Sequence, residues 1–195
     1  MTKPNSGTSK QRGFTIIETM IAIAIMSIGI VTLIAAFATA VNATQNAQEN
    51  LIARQKTLEA MESIYTARNA QQITFAQINN FPAGIFSSGT TQLLCAGPDG
   101  LVGTTDDINC PASSPCAAGP ECVVLPGPDG VLGTSDDVAM SLANFSRQIQ
   151  ISNVLNPDGS INTTLKQINI TVSYAKSGST VPQSYSVNAL ISSFH

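Results

Sequence analysis

An uncharged apolar stretch that begins beside a single acidic residue limits what this chain can form. The run RGFTIIE at residues 12–18 opens the stretch, and no residue from Thr19 to Val41 carries a charge. About 20 apolar residues suffice for a helix to cross a bilayer. A carboxylate in lipid is costly and normally marks a functional position, so we expect Glu18 to have a partner.

Residues 1–13 have the composition of a leader. They hold three basic residues and no acid. An ordinary secretory signal is cleaved after its apolar core, whereas here the glycine, Gly13, precedes the core. Cleavage after Gly13 would leave the apolar segment on the mature chain, which would then begin at Phe14. An uncleaved signal anchor also has basic residues on its cytoplasmic side, but it does not account for Glu18.

Composition argues against nucleic-acid binding and catalysis. The 195 residues are enough for one domain with a modest core. Without the leader, six basic and twelve acidic side chains remain, so a basic patch for phosphate contacts is missing. The only histidine is His195, and no serine has a histidine base nearby in the sequence. We therefore do not expect an enzyme.

Residues 14–67 predict one long helix in two parts. Residues 14–41 form the apolar transmembrane part, where small residues would let helices pack closely. Residues 42–67 form an amphipathic continuation, and no proline interrupts either part. In the continuation, one stripe is expected to pack on a sheet. It consists of Ala47, Leu51, Leu58, Met61 and Tyr65.

The processing region resembles that of type IV prepilins. The resemblance implies cleavage after Gly13 by a prepilin peptidase, N-methylation of Phe14, and a salt bridge from Glu18 to the new amine, on a neighbouring subunit. It implies a single-pass inner-membrane protein with a periplasmic globular domain, which an inner-membrane assembly platform adds to other pilins in a surface filament. Residues 12–65 are similar to the PilV group of minor pilins, through the segment AIAIMSIGI at 22–30 and LEAME at 58–62.

Two acidic segments repeat each other in the middle of the chain. GPDGLVGTTDDI at residues 97–108 and GPDGVLGTSDDV at residues 127–138 share eight of twelve positions. Pro-Asp-Gly alone indicates a turn, but the returning acidic pair suggests a hard cation, since Ca²⁺ takes about 6–8 oxygen ligands. Neither segment has the spacing of an EF-hand or the lysine of a phosphate loop.

The acidic segments are similar to the calcium loop of the major pseudopilins of type II secretion. The resemblance implies two sets of side-chain ligands for a structural Ca²⁺. They are Asp99, Asp106 and Asp107 in the first loop, and Asp129, Asp136 and Asp137 in the second.

Four cysteines, Cys95, Cys110, Cys116 and Cys122, lie in the same region, a loop insert at 95–138. An exported chain meets an oxidising compartment, where an even number favours disulfides over a zinc site. Four cysteines allow three pairings; we favour Cys95 with Cys110 and Cys116 with Cys122.

The end of the chain predicts an antiparallel sheet. Apolar and polar residues alternate at 149–151, 168–174 and 184–191, with turns at 156–159 and 177–178. The expected fold is α+β and pilin-like, with the helix packed on the sheet of a globular domain at 68–195. The expected function is a minor pilin of a type IV pilus. The alternatives are a type II secretion pseudopilin and, in another class, a pilus-tip adhesin.

Overall fold

The computed structural model describes residues 13–175 and 181–194. The chain divides into two compact units, Met1–Gln45 and Asn46–His195. Residues 1–12 of the predicted leader and the predicted turn at 177–178 lie outside the described residues.

One helix, α1, runs over Ile16–Asn69, close to the predicted bounds. Thr15 caps its first turn, where the Glu18 amide donates to Thr15 Oγ1 at 3.3 Å. At the other end Gln71 adopts a positive φ of 58°, and Gln72 N donates to Ala67 O at 2.9 Å. This bonding is a Schellman motif, which satisfies carbonyls that the end of a helix leaves without partners.

The buried face of α1 differs from the predicted stripe. Ala47, Leu51 and Leu58 are exposed, so the stripe was wrong at these positions, although Met61 is buried. Small residues permit a closer approach to the sheet than leucines would, and they form much of the true face. Its buried residues are Ile52, Ala53, Thr57, Ala60, Met61, Ile64, Ala67 and Arg68.

A four-stranded antiparallel sheet lies in the second unit, in the order β1-β4-β5-β6. Its strands are β1 (Thr90–Gln92), β4 (Phe145–Leu155), β5 (Ile161–Tyr174) and β6 (Gln183–Ser192). The three long strands confirm the predicted sheet, and the short β1 was not predicted. The turn between β4 and β5 has Gly159 at a φ of 83°, a conformation that favours glycine.

The core has two clusters on one side of the sheet. The larger one joins Ile64 of α1 to Ile168 and Ile170 of β5, and also takes in Phe86 and Leu101 from loops. The smaller cluster joins Ile52 of α1 to Phe145 and Val172, with Leu93 and Leu142. The helix therefore packs on the sheet from Ile52 onward, which confirms the α+β class.

A second, two-stranded sheet pairs β2 (Cys122–Leu125) with β3 (Val138–Ser141). The second acidic segment is the connection between these strands. The first acidic segment is closed at the corresponding position by a bridge from Cys95 to Ile108, as Leu125 pairs with Val138 in the hairpin. Each acidic segment is therefore a loop that is clamped at its base by antiparallel pairing.

Candidate functional site

The start of α1 presents an acid without a partner in the described chain. Glu18 lies in the first helical turn, and its carboxylate makes no ion pair with a described residue. The sequence Thr15-Ile16-Ile17-Glu18 also matches a capping box, in which the acid would bond back to the Thr15 amide. Only the bond from the Glu18 amide to Thr15 is present. Sequence reasoning missed this local role.

Every residue from Gly13 to Gln45 is exposed. Fifteen of these side chains, between Phe14 and Val41, are large and apolar. Burying one such side chain is worth about 1.5–3 kcal/mol, so the set represents on the order of 20 kcal/mol or more. α1 is long and apolar enough to cross a membrane, with a mean hydropathy of 2.6 over 18 residues. A surface of this kind requires lipid or other helices as its surroundings.

The first acidic loop is organised by its own aspartates. Asp99 Oδ1 accepts the Leu101 amide at 2.8 Å, and Asp107 Oδ2 accepts the Gly103 amide at 2.7 Å. Asp106 Oδ1 accepts the Thr104 hydroxyl at 2.6 Å. Each carboxylate thus satisfies a donor that the turn would otherwise leave unpaired.

The second loop repeats this bonding. Asp129 Oδ1 accepts the Val131 amide at 2.8 Å, Asp137 Oδ2 accepts the Gly133 amide at 2.6 Å, and Asp136 Oδ1 accepts the Thr134 hydroxyl at 2.6 Å. The sequence repeat is therefore also a structural repeat.

The first glycine of each loop is needed for close packing. A Cβ at Gly97 would collide with the carbonyl and carboxylate of Asp106. A Cβ at Gly127 would collide with the same groups of Asp136. The second acid of each loop therefore folds back over the glycine that opens it.

The two loops differ in their surroundings. Leu101 and Val102, at the tip of the first loop, are buried, whereas their counterparts Val131 and Leu132 are 55% and 61% exposed. The Asp107 carboxylate lies 3.8 Å from the buried Arg147 guanidinium of β4. No ion pair of Asp137 occurs among the described residues.

A buried ionic network holds the first loop beside the helix. Arg147 Nη2 lies 3.6 Å from Glu121, whose other oxygen is 2.7 Å from Lys56 of α1. Burial disfavours the Lys56 ammonium, but hydrogen bonds and charges from Glu121 and Glu59 outweigh it and raise the pKa of Lys56. Sequence reasoning missed this network. The alternation of β4 could have indicated it. Arg147 lies at every second position with Phe145 and Ile149, so its side chain belongs to the buried face of the strand.

The three acids of the first loop have pKa values shifted in different directions. Burial, with the nearby charge of Asp106, raises the pKa of Asp99, and burial raises the pKa of Asp107. The Thr104 hydroxyl lowers the pKa of Asp106. In the second loop the Thr134 hydroxyl likewise lowers the pKa of Asp136.

The predicted calcium ligands are only partly brought together. The Asp99 amide donates to Asp106 Oδ2 at 3.3 Å, and the Asp129 amide donates to Asp136 Oδ2 at the same distance, so the first two acids of each loop are neighbours. In the first loop, Asp107 Oδ1 shares the Thr104 hydroxyl with Asp106, while Asp107 Oδ2 accepts the Gly103 amide. In the second loop, Asp137 accepts the Gly133 amide and no hydrogen bond from Thr134 to it occurs among the described residues. Within residues 13–175 and 181–194, no three acidic, histidine or cysteine side chains converge as a metal site.

The cysteines form one disulfide. Cys95 and Cys110 are bonded, which confirms the first favoured pairing and ties together the base of the first loop. Cys116 and Cys122 are free thiols, so the second favoured pairing is not present. A hydrogen bond with Cys122 raises the pKa of Cys116 to about 11, which keeps this thiol protonated at neutral pH.

Comparison with known proteins identifies the N-terminal region. Residues 8–34 match the family model described as the prokaryotic N-terminal methylation motif. The match supports a type IV pilin-like prepilin, and together with the apolar helix it fits single-pass membrane anchoring. Searches among curated proteins and among solved structures gave no match.

Proposed function

We propose that this chain is a minor pilin, a structural subunit of a type IV pilus. A prepilin peptidase cleaves it after Gly13, and the new N-terminal Phe14 is methylated. The apolar part of α1 holds the subunit in the inner membrane, with the second unit in the periplasm. An assembly platform then moves the helix out of lipid and into the core of a surface filament.

The exposed apolar surface of residues 14–41 is the observation that carries this proposal. Its fifteen large apolar side chains are exposed, and the buried residues of the core begin at Ile52. A surface of that size has two stable environments, lipid and the apolar helices of other subunits. A filament subunit uses both in succession, and the methylation motif at residues 8–34 supports this use.

Glu18 supplies the specificity of the assembly step. In an apolar filament core its carboxylate needs an opposite charge, and the Phe14 ammonium of a neighbouring subunit provides it. Removing one member of a buried ion pair leaves the other uncompensated, at a cost of about 3–5 kcal/mol. The absence of an ion pair to Glu18 within the described chain leaves the carboxylate available for this contact.

The experiment that tests the proposal locates the mature chain. Filaments sheared from cells should contain it, and intact mass with N-terminal sequencing should show a methylated Phe14 as the first residue. Retention of the processed chain in the periplasm, with none in surface filaments, would favour a type II secretion pseudopilin, to whose calcium loop the acidic segments are similar. An intact leader on filament-associated chain would refute the processing step. Target binding by the second unit alone would favour an adhesin.

We also propose that the acidic loops bind Ca²⁺ through their first two acids, Asp99 with Asp106 and Asp129 with Asp136. Oxygen donors suit this hard cation. Burial and, after it, the charge of Asp106 raise the pKa of Asp99, and a bound cation would offset that repulsion. Asp107 faces Arg147 and accepts the Gly103 amide, and Asp137 accepts the Gly133 amide, so the third acid of each loop is left out of the proposed ligand set.

Thermal unfolding of the full chain in detergent tests the calcium proposal. Millimolar Ca²⁺ should raise the midpoint, since a ligand that binds only the folded state stabilises it, and a chelator should reverse the rise. The Asp99→Asn/Asp129→Asn double variant should lose the response, while Asp158→Asn, in the turn between β4 and β5, should keep it. A wild-type midpoint that ignores both calcium and chelator would leave the loops as turns alone.

A further inference from the structure

The first acidic loop shows how a loop of this sequence docks on a protein surface. Its tip residues, Leu101 and Val102, belong to the larger core cluster together with Ile149 of β4. Beside them the Asp107 carboxylate faces the Arg147 guanidinium. The dock is thus an aliphatic surface with an arginine at its border.

The second loop has equivalent apolar and acidic residues, but they pack on no surface within the described chain. Its tip residues, Val131 and Leu132, occupy the equivalent positions and are exposed. Its third acid, Asp137, keeps the internal bond to the Gly133 amide, but no described arginine or lysine pairs with it. The backbone is set in the same shape as in the first loop, with φ values of 70° at both Gly100 and Gly130.

We propose that the tip of the second loop is a docking surface for a different protein subunit. The partner presents an aliphatic pocket to Val131 and Leu132 and a guanidinium to Asp137 Oδ2. This oxygen corresponds to the Asp107 Oδ2 that faces Arg147, whereas Asp137 Oδ1 is shielded from solvent. This proposal extends the filament role but does not depend on which filament system the chain joins.

Two other occupants fit the observations less well. A second copy of this chain has the matching dock, but there the first loop already fills it with Leu101 and Val102. A lipid surface would take the apolar tip, but the loop also carries Asp129, Asp136 and Asp137. Anionic membranes attract basic segments and repel such acids. Charge complementarity therefore favours a protein with an arginine.

Site-specific photo-crosslinking in cells that assemble the full chain tests the proposal. A photoreactive amino acid at Leu132 should crosslink to one other protein, identified by mass spectrometry. The same probe at Ile161, which is similarly exposed at the start of β5, is the matched control. We expect the crosslinking yield at Leu132 to be at least five times the yield at Ile161. A fivefold ratio corresponds to a free-energy difference of about 1 kcal/mol.

Charge removal makes the test specific to the proposed contact. Asp137→Asn keeps an acceptor for the Gly133 amide and should reduce the crosslink at least fivefold, whereas Asp158→Asn should leave it unchanged. Replacing the arginine at the mapped contact of the partner should reduce it by a similar factor. The proposal is overturned by a crosslink to lipid or to a second copy, by a yield no higher than at Ile161, or by no effect of Asp137→Asn.

Stability of the chain itself provides a second test. Leu132→Ser should shift the thermal midpoint by less than about 1 °C, whereas Leu101→Ser should lower it by about 5 °C or more, because only the latter leaves a defect in the core. Equal losses for the two variants would show that the second tip is packed within this chain, and the docking surface would then not exist.

Discussion

For the Glu18 carboxylate, a local role in the helix stands beside the proposed ion pair with a neighbouring subunit. An acid in the first turn stabilises a helix by about 0.3–1 kcal/mol through the helix dipole, and the Thr15 cap strengthens that local explanation. An intermolecular pair with the Phe14 amine would contribute more, because it forms in an apolar core. The two roles make different demands, since a neutral glutamine can complete a capping box but cannot balance a charge.

Glu18→Gln is therefore expected to abolish or strongly reduce incorporation into filaments while the folded second unit is unchanged. We expect at least a tenfold lower filament content by quantitative immunoblotting of sheared filaments. Glu62→Gln, on the exposed face of the same helix, is the matched control and should assemble normally. Wild-type incorporation of Glu18→Gln would reduce the acid to a helix cap.

Arg147 is the residue on which the ionic network depends. Its side chain is 1% exposed and lies between two acids, Asp107 of the first acidic loop and Glu121, the residue before β2. If Arg147 were removed, the two buried negative charges would have only Lys56 to balance them. The cost of removing it is therefore the cost of the orphaned acids, rather than the strength of two long contacts.

Arg147→Met should lower the free energy of unfolding by about 3 kcal/mol, measured by urea denaturation in detergent. Arg54→Met removes an exposed arginine from α1 and should change it by less than about 0.5 kcal/mol. A loss below 1 kcal/mol for Arg147→Met would mean that water or rearrangement satisfies the acids.

At the scale of the elements, the two acidic loops have similar sequences and similar backbone shapes but differ in how deeply they are buried. Three of their internal bonds correspond, because the aspartates, the threonine and the glycines that make them are shared. The threonines differ, since Thr104 also donates to Asp107 whereas Thr134 donates to the Val131 carbonyl. Their burial differs, because one loop is clamped beside the core and the other connects the β2–β3 hairpin.

This difference predicts unequal costs for the same substitution. Gly97→Ala should destabilise the chain by about 1–3 kcal/mol, since the added Cβ collides with Asp106 in a loop whose tip is in the core. Gly127→Ala meets the equivalent collision in an exposed hairpin, so the global unfolding free energy should change by less than about 0.5 kcal/mol. Equal losses by urea denaturation would contradict the view that only the first loop supports the core.

At the scale of the whole molecule, the core and the exposed apolar surface lie in different compact units. Every core residue lies at Ile52 or beyond, and the apolar surface without partners lies before Gln45. A chain that begins at Asn46 should therefore remain soluble without detergent, with a thermal midpoint within about 3 °C of the full chain. Aggregation of this fragment, or a much lower midpoint, would show that residues before 46 contribute to the fold.

Most of the helix and the three long strands could be predicted from the sequence. Unbroken apolar composition and the absence of proline are local properties, so α1 was predicted almost to its ends, and alternation predicted the strands of the main sheet. The buried stripe of α1 was mispredicted at Leu51 and Leu58 because hydrophobicity ranks leucine above alanine. The face of α1 that packs closely against the sheet instead contains the small residues Ala53, Ala60 and Ala67.

A membrane-length apolar helix with one acid near its start, a methylation motif and a duplicated acidic segment can all be recognised in the sequence. These are features of consecutive residues, so no tertiary contact is needed to recognise them. The three-dimensional fold was needed to show that Arg147 lies between Asp107 and Glu121, that Cys95 is bonded to Cys110, and that the tip of one loop is buried while that of its copy is exposed. Such facts depend on residues that are distant in the chain and become neighbours only when the helix packs on the sheet.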